Sequence, residues 1–123
     1  GKGYSVVYDT AAHVFEQFEA QKFSREEDEE ISADVERVLQ CDLLILDDLG
    51  TEMVTAFVQS ALYRIVNTRL MEKKSTILNT NLTPGELGRR YSPQIASRIE
   101  GEYQILPFLG EDIRKLKRRR ERP

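Results

Sequence analysis

Two adjacent acidic residues, Asp47 and Asp48, directly follow an uninterrupted aliphatic run at residues 43–46. Four apolar residues without polar alternation are typical of a strand whose sheet is covered by helices on both faces. Acids that follow such a strand lie at its carboxyl end, where open α/β sheets place their ligands. Two carboxylates there can hold a magnesium ion and polarise a water beside a nucleotide phosphate. The alternative is a simple polar turn, because Asp and Gly are also common in turns.

The polar sequence NTN at residues 79–81, which begins with Asn79, ends a β-prone run that starts at Ser75. In a parallel sheet this tip and the Asp47-Asp48 pair meet at the same edge. An amide can hold an attacking water or a terminal phosphate in place, which is much of what phosphoryl transfer requires. The two tips together therefore predict a phosphoryl-transfer site at this edge of the sheet.

Arg98 lies on a later predicted helix, between Ser97 and Ile99. From there its guanidinium can reach a phosphate bound by a neighbouring subunit, as an arginine finger that supplies positive charge in the transition state. A surface salt bridge with Glu100 or Glu102 is an equally good interpretation of Arg98 taken alone, since such pairs are common and contribute little to stability.

Strand-like and helix-like patterns alternate along the chain, which predicts right-handed crossovers and a mainly parallel sheet. The expected fold is therefore α/β, with three layers in which helices lie on both faces of the sheet. Strands are predicted at residues 4–8, 43–46, 75–81 and 102–108. Helices are predicted at residues 11–23, 31–39, 52–74, 83–90 and 91–100, and residues 24–30 are expected to form an exposed loop or a solvated helical turn.

Local signals also mark where helices begin and end. Thr83, Pro84 and Glu86 have the spacing of a capping box with proline in the first turn. Arg69 and Lys73 fall in the last turns of the long predicted helix, where positive charge complements the helix dipole.

The composition indicates one cytoplasmic globular domain. The chain has 123 residues, 40% of them hydrophobic, which is enough for a single core. One cysteine, Cys41, cannot form an internal disulfide, and with one histidine, His13, it gives no metal-ligand cluster. No apolar run approaches the roughly 20 residues that cross a bilayer, so no membrane partner is expected. The net charge of -3 hides an acidic segment at residues 25–36 and a basic tail at about residues 114–123.

Four motifs in this sequence together resemble those of an ATPase family. They are LLILDDLG at residues 43–50, ILNTNL at residues 77–82, SRI at residues 97–99 and DIR at residues 112–114. Residues 3–117 are similar to the nucleotide-binding domain of AAA+ ATPases of the bacterial helicase-loader family, DnaC and DnaI, and of the IstB transposition helpers. The resemblance implies a P-loop NTPase fold of the AAA+ type, with ATP and magnesium as cofactors.

The resemblance also implies a role for each candidate residue. Asp47 of the Walker B strand is then a magnesium ligand, usually through water, and Asp48 is a second acid beside the ion that activates the attacking water. Asn79 corresponds to the sensor amide, which contacts the nucleotide and assists catalysis. Arg98 corresponds to the arginine finger, and Arg114 to an arginine near the C-terminus that senses the nucleotide.

The sequence lacks one motif that such ATPases need, the phosphate-binding loop G-x-x-x-x-G-K-[ST]. The resemblance therefore implies that residues 1–123 are the C-terminal part of an ATPase domain, with an incomplete AAA+ fold. We expect this polypeptide alone to bind ATP weakly and to be inactive, and micromolar binding in calorimetry would contradict this expectation. We also expect the strands that contain Ile77 and Ile105 to have unpaired edges, through which chains associate.

Three functions follow as hypotheses. The first is an ATP-dependent helicase loader of the primosome that acts in DNA replication initiation, with the replicative helicase and single-stranded DNA as partners and with self-association through AAA+ interfaces. The alternative is an IstB-like transposition helper ATPase, which the core motifs do not separate from a loader. The third is a non-catalytic module whose basic tail at residues 115–122 binds nucleic acid phosphates. A solvated tail competes with this last interpretation, since no aromatic residue interleaves with the basic ones.

Overall fold

The computed structural model describes residues 3–24 and 29–105. Three parallel strands form one sheet with β2 in the centre, and helices connect them. The strands are β1 (Val6–Thr10), β2 (Leu43–Leu49) and β3 (Ser75–Thr80). The helices are α1 (Ala11–Phe23), α2 (Glu29–Gln40), α3 (Ala56–Met71), α4 (Pro84–Arg90) and α5 (Pro93–Glu102). The parallel α/β architecture expected from the sequence is confirmed.

Hydroxyl side chains begin four of the helices. Thr10, Thr55, Thr83 and Ser92 each accept a hydrogen bond from the backbone amide three residues later. The predicted capping box is present at α4, where the Glu86 carboxylate accepts from the backbone amide of Thr83 at 3.2 Å. Because Thr55 is the cap of α3, that helix begins after Thr55 rather than at residue 52 as predicted.

Two other boundaries differ from the predictions. α2 begins at Glu29, inside the segment expected to be a loop or a single turn, and its acidic first turn complements the helix dipole. The predicted strand at residues 102–108 is wrong over its described part, because α5 continues through Glu102 and Tyr103 N then donates to Ile99 O at 2.9 Å. The remainder of that strand, the predicted tail helix and the basic tail with Arg114 lie outside the described residues.

The sheet has one face packed against helices and one face that is largely exposed. Helices α1, α2 and α3 contact one another on the packed face, where Leu44 and Leu46 are fully buried. On the other face, here called the open face, Leu43 and Ile45 are half-buried and Ile77 is 46% exposed. The described residues thus form the sheet and one helical layer of the expected three-layer fold. No helix within these ranges is long and apolar enough to span a membrane.

A fully buried arginine, Arg69 of α3, joins three elements through its guanidinium. Its Nη1 donates to the carbonyls of Val38 and Leu39 in the last turn of α2, at 3.0 and 3.2 Å. Its Nη2 donates to Ser75 O at 2.7 Å, and its Nε donates to Thr76 Oγ1 at 2.8 Å. The sequence predicts that this charge complements the dipole of its own helix, whereas the structure places it on the unpaired carbonyls of α2.

Candidate functional site

The carboxyl end of β2 contains one residue more than the facing stretch of β3. Leu46 pairs with Leu78, and the next pair joins Leu49 to Thr80, so three steps along β2 match two along β3. The extra residue forms a β-bulge, in which Asp48 has a left-handed backbone with φ 54°. The bulge gives the two adjacent acids different surroundings.

Asp47 lies on the open face, between donors from both neighbouring strands. The Tyr8 hydroxyl of β1 donates to its Oδ2 at 3.1 Å, and the Asn79 amide of β3 donates to its Oδ1 at 3.3 Å. The carboxylate is therefore held from two sides. The structure brings Asp47 and Asn79 together at one edge of the sheet, while their chemical roles stay predictions.

Tyr8 is absent from the predicted site residues. Its contact depends on the strand register, in which Tyr8 pairs with Ile45 and Thr10 pairs with Asp47. The hydrogen bond to Asp47 raises the pKa of the Tyr8 phenol, because only the protonated phenol can donate it, and the charge of Asp48 adds to this effect. Local sequence patterns do not contain the register, so only a known pairing of β1 with β2 could have revealed Tyr8.

Asp48 is exposed, and no donor among the described side chains contacts its carboxylate. Its backbone carbonyl accepts from the hydroxyl of Thr51 at 2.9 Å and from the amide of Thr51 at 3.4 Å. These bonds close the loop after β2 and leave the Asp48 side chain directed to solvent. A carboxylate in this setting can accept a hydrogen bond from a water next to the fixed carboxylate of Asp47.

The donor set fits a magnesium ion that is shared with a phosphate. Within the described ranges no group of three or more potential metal ligands occurs. Mg²⁺ commonly binds proteins through one or two carboxylates while it keeps several waters and phosphate oxygens. Asp47 and Asp48 supply those two carboxylates, so they suit an ion that arrives with a nucleotide rather than one held by protein ligands alone.

The tips of β2 and β3 are fastened together beside the acids. Thr80 Oγ1 donates to Leu49 O at 2.5 Å and accepts from the backbone amide of Leu82 at 3.1 Å. Gly50 has φ 106°, and a Cβ at this position would lie 2.7 Å from Leu82 Cδ1. The positive φ favours glycine here, and a larger residue would also displace the end of the Leu82 side chain. Asn81, the last residue of the predicted polar tip, is exposed.

Glu52 anchors the loop after the acids to the end of α4. Its Oε2 accepts from Gly50 N at 2.9 Å, its Oε1 accepts from the Tyr91 hydroxyl, and its backbone carbonyl accepts from the Arg90 guanidinium. Tyr91 is 1% exposed, and this burial, reinforced by the bond to Glu52, raises the pKa of its phenol. Local sequence patterns do not predict this network, because it joins residues that are distant in the chain.

Arg98 is exposed on α5 and makes no hydrogen bond or ion pair in the part of the chain that the structure describes. The alternative interpretation, a salt bridge with Glu100 or Glu102, is therefore not formed. α5 packs against α3 and α4, and the described hydrogen bonds and ion pairs include none between Arg98 and Asp47. Arg114, the other predicted arginine, lies outside the described residues.

Comparison with known protein families identifies the family of this chain. Residues 1–120 match the sequence profile of the IstB-like ATP-binding proteins. The chain belongs to the IstB-like ATP-binding protein family. No curated protein sequence matches significantly.

Solved structures show the same fold as this IstB-like chain. It superposes on the DnaC helicase loader with a TM-score of 0.70 at 20% identity, over 83% of this chain and 59% of that one. A DNA replication initiation factor gives 0.69 at 26% identity, over 96% and 36%. The replication initiator DnaA bound to AMPPCP and single-stranded DNA gives 0.68 at 26% identity, over 94% and 37%. The resemblance to AAA+ ATPases of the DnaC and IstB group is thus confirmed, and the chain spans 59% or less of each of these structures.

Proposed function

We propose that this chain supplies the acidic, water-activating part of an ATPase site, and that the complete protein is a helicase loader that acts in DNA replication initiation. The observation that carries the ATPase proposal is the fixed Asp47 carboxylate, which accepts from the Asn79 amide and is followed in sequence by the exposed Asp48 at the carboxyl edge of the sheet. Membership of an ATP-binding family supports ATP as the nucleotide.

Each side chain has surroundings that suit its proposed task. Magnesium, when bound with ATP, would neutralise phosphate charge at this edge. Asp47 is oriented by two neutral donors, which leave its negative charge available to a cation. Asp48 is open to solvent and can orient a water and accept its proton. Asn79 has a second amide hydrogen and a carbonyl oxygen with which to contact the water or the terminal phosphate.

The decisive experiment measures magnesium-dependent ATP hydrolysis by the complete protein encoded with this chain. We expect Asp48→Asn to lower kcat by about 100-fold or more, the usual contribution of a general base, while ATP binding is retained. Asp34→Asn is the matched control, because Asp34 is an acid on α2 that forms an ion pair with Arg37 at 3.0 Å and has no part in the proposed site. Full turnover in Asp48→Asn would rule out the proposed site.

Arg98 is exposed and forms no ion pair or hydrogen bond with the residues that the structure describes, which supports a role at a neighbouring subunit's nucleotide. We expect Arg98→Ala to be inactive alone and to regain part of its turnover when mixed with Asp48→Asn. In such a mixture an intact Arg98 from one subunit meets an intact Asp48 in the next. Arg89→Ala, which removes an exposed arginine from α4, is the control. Absence of any recovery would show that Arg98 does not act between subunits.

Partner identity separates the loader from the second candidate, a transposition helper. The structural matches to a helicase loader and to replication initiators favour replication, with a replicative helicase and single-stranded DNA as partners. The IstB-like family profile favours a helper that directs a transposase. Loading of the replicative helicase onto single-stranded DNA by the purified protein, in an ATP-dependent reaction, would support the loader. Stimulation of a transposase without helicase loading would support the helper.

A further inference from the structure

The proposed ATPase reaction assigns no role to the hydroxyl of Tyr8, although this hydroxyl contacts Asp47. Tyr8 is 64% exposed, so its ring contributes little to the core, yet its hydroxyl lies 3.1 Å from Asp47 Oδ2. The register places Tyr8 two residues before Thr10, which is the direct partner of Asp47. Tyr8 and Asp47 therefore project from the same face, and the phenol extends toward the carboxyl edge.

The two side chains that donate to Asp47 differ in whether they are also proposed to contact the nucleotide. Asn79, which donates to Oδ1 at 3.3 Å, is also the side chain proposed to contact the nucleotide or its attacking water. Tyr8 has Asp47 as its side-chain partner among the residues described, and it approaches from the opposite strand. Of the two donors to Asp47, Tyr8 is therefore the one with no contact to the nucleotide or its attacking water in the proposed site.

We propose that Tyr8 is a positioning residue that orients the Asp47 carboxylate toward the waters of a bound divalent cation. The proposal rests on the proposed ATPase function. The hydroxyl acts through Asp47 and touches neither substrate nor metal, as partners of metal ligands commonly do. Removal of the Tyr8 hydroxyl should therefore change the magnesium concentration that hydrolysis requires more than it changes kcat.

The test is Tyr8→Phe, which removes one oxygen from an exposed side chain and keeps its ring. Loss of an outer-shell partner typically weakens metal affinity 10- to 100-fold, and because Tyr8 is exposed we expect the lower limit. The magnesium concentration for half-maximal ATP hydrolysis should rise about tenfold, with kcat at saturating magnesium within about twofold of wild type. Tyr4→Phe is the matched control, since Tyr4 is 68% exposed and has no hydrogen bond to the acids.

A second measurement does not depend on ATP hydrolysis, so it tests the role of Tyr8 separately from the proposed ATPase function. With a saturating non-hydrolysable ATP analogue present, Mn²⁺ followed by electron paramagnetic resonance should bind about tenfold more weakly to Tyr8→Phe than to wild type or Tyr4→Phe, with Asp47→Asn as the reference for a lost site. Inactive wild-type protein would overturn the proposed function, and the Mn²⁺ affinities would then decide whether Tyr8 orients Asp47. Unchanged Mn²⁺ affinity and unchanged magnesium dependence in Tyr8→Phe would overturn the role of Tyr8.

Discussion

At the residue scale, one extra position in β2 separates the environments of two adjacent acids. Asp47 is half-buried and bonded on both oxygens, whereas Asp48 has a positive φ and an exposed carboxylate. A held carboxylate suits a cation that needs fixed ligands, and an exposed one suits a water that must lose a proton. In an unbulged strand the two side chains would alternate between opposite faces, and Asp48 would point into the packed helices.

Gly50 is the residue on which this local geometry depends, and its replacement gives a prediction. Gly50→Ala combines a φ of 106° with a Cβ placed 2.7 Å from Leu82 Cδ1. We expect the free energy of unfolding to fall by about 1–3 kcal/mol, as for other strained positive-φ sites, when it is measured by urea denaturation.

Gly101→Ala is the control for this prediction, and it should change the free energy of unfolding in the opposite direction. Gly101 lies in α5 with nothing within 4 Å of an added Cβ, so alanine should stabilise the protein by about 0.5–1 kcal/mol. Equal effects of the two substitutions would show that Gly50 is not conformationally constrained.

At the element scale, the Glu52–Tyr91 bond ties the loop after β2 to the end of α4. Burial of the Tyr91 phenol raises its pKa, because the phenolate would lose its hydration, and the hydrogen bond to Glu52 and the Glu52 charge raise it further. The folded protein therefore keeps a proton that the unfolded chain loses near pH 10. The stability contributed by Tyr91 is complete below pH 10 and declines as the pH rises above it.

The resulting prediction concerns the difference in the free energy of unfolding between wild type and Tyr91→Phe. At pH 8 the variant should be less stable, because the Glu52 oxygen loses its donor in a partly buried site. Above pH 10 this difference should shrink by up to about 1.4 kcal/mol per pH unit, the value for one proton. Urea denaturation at pH 8, 10 and 10.5 measures the trend. Tyr63→Phe on α3 is the control, and a pH-independent difference for Tyr91→Phe would contradict the prediction.

Sequence patterns predict these elements well because their signals are local. The aliphatic run of β2, the hydroxyl caps and the helical spacing of apolar residues each act within a few positions. The contacts that build the site join distant residues, such as Tyr8 with Asp47 and Glu52 with Tyr91, and they depend on a register that no local pattern contains. The buried role of Arg69 was missed for the same reason, since its partners lie on α2 and β3.

At the scale of the whole molecule, the described helices cover one face of the sheet and leave the open face exposed. Val6 of β1 is 52% exposed and Ile77 of β3 is 46% exposed, on either side of the half-buried Leu43 and Ile45. Within the described residues β3 also has no neighbour on its outer side, so its backbone edge is free to pair. Exposed apolar surface next to an unpaired strand edge favours association between chains.

We therefore predict that this 123-residue polypeptide self-associates through the open face and the β3 edge. Ile77→Lys places a charge on that face, where lysine opposes the pairing of edges. Sedimentation velocity at increasing concentration should show oligomers for wild type and a shift toward monomer for Ile77→Lys. Met71→Lys is the control, because Met71 is 74% exposed at the end of α3 and is not part of the sheet. Association that responds equally to both substitutions would place the contact elsewhere, and a strictly monomeric wild type would show that the open face does not associate.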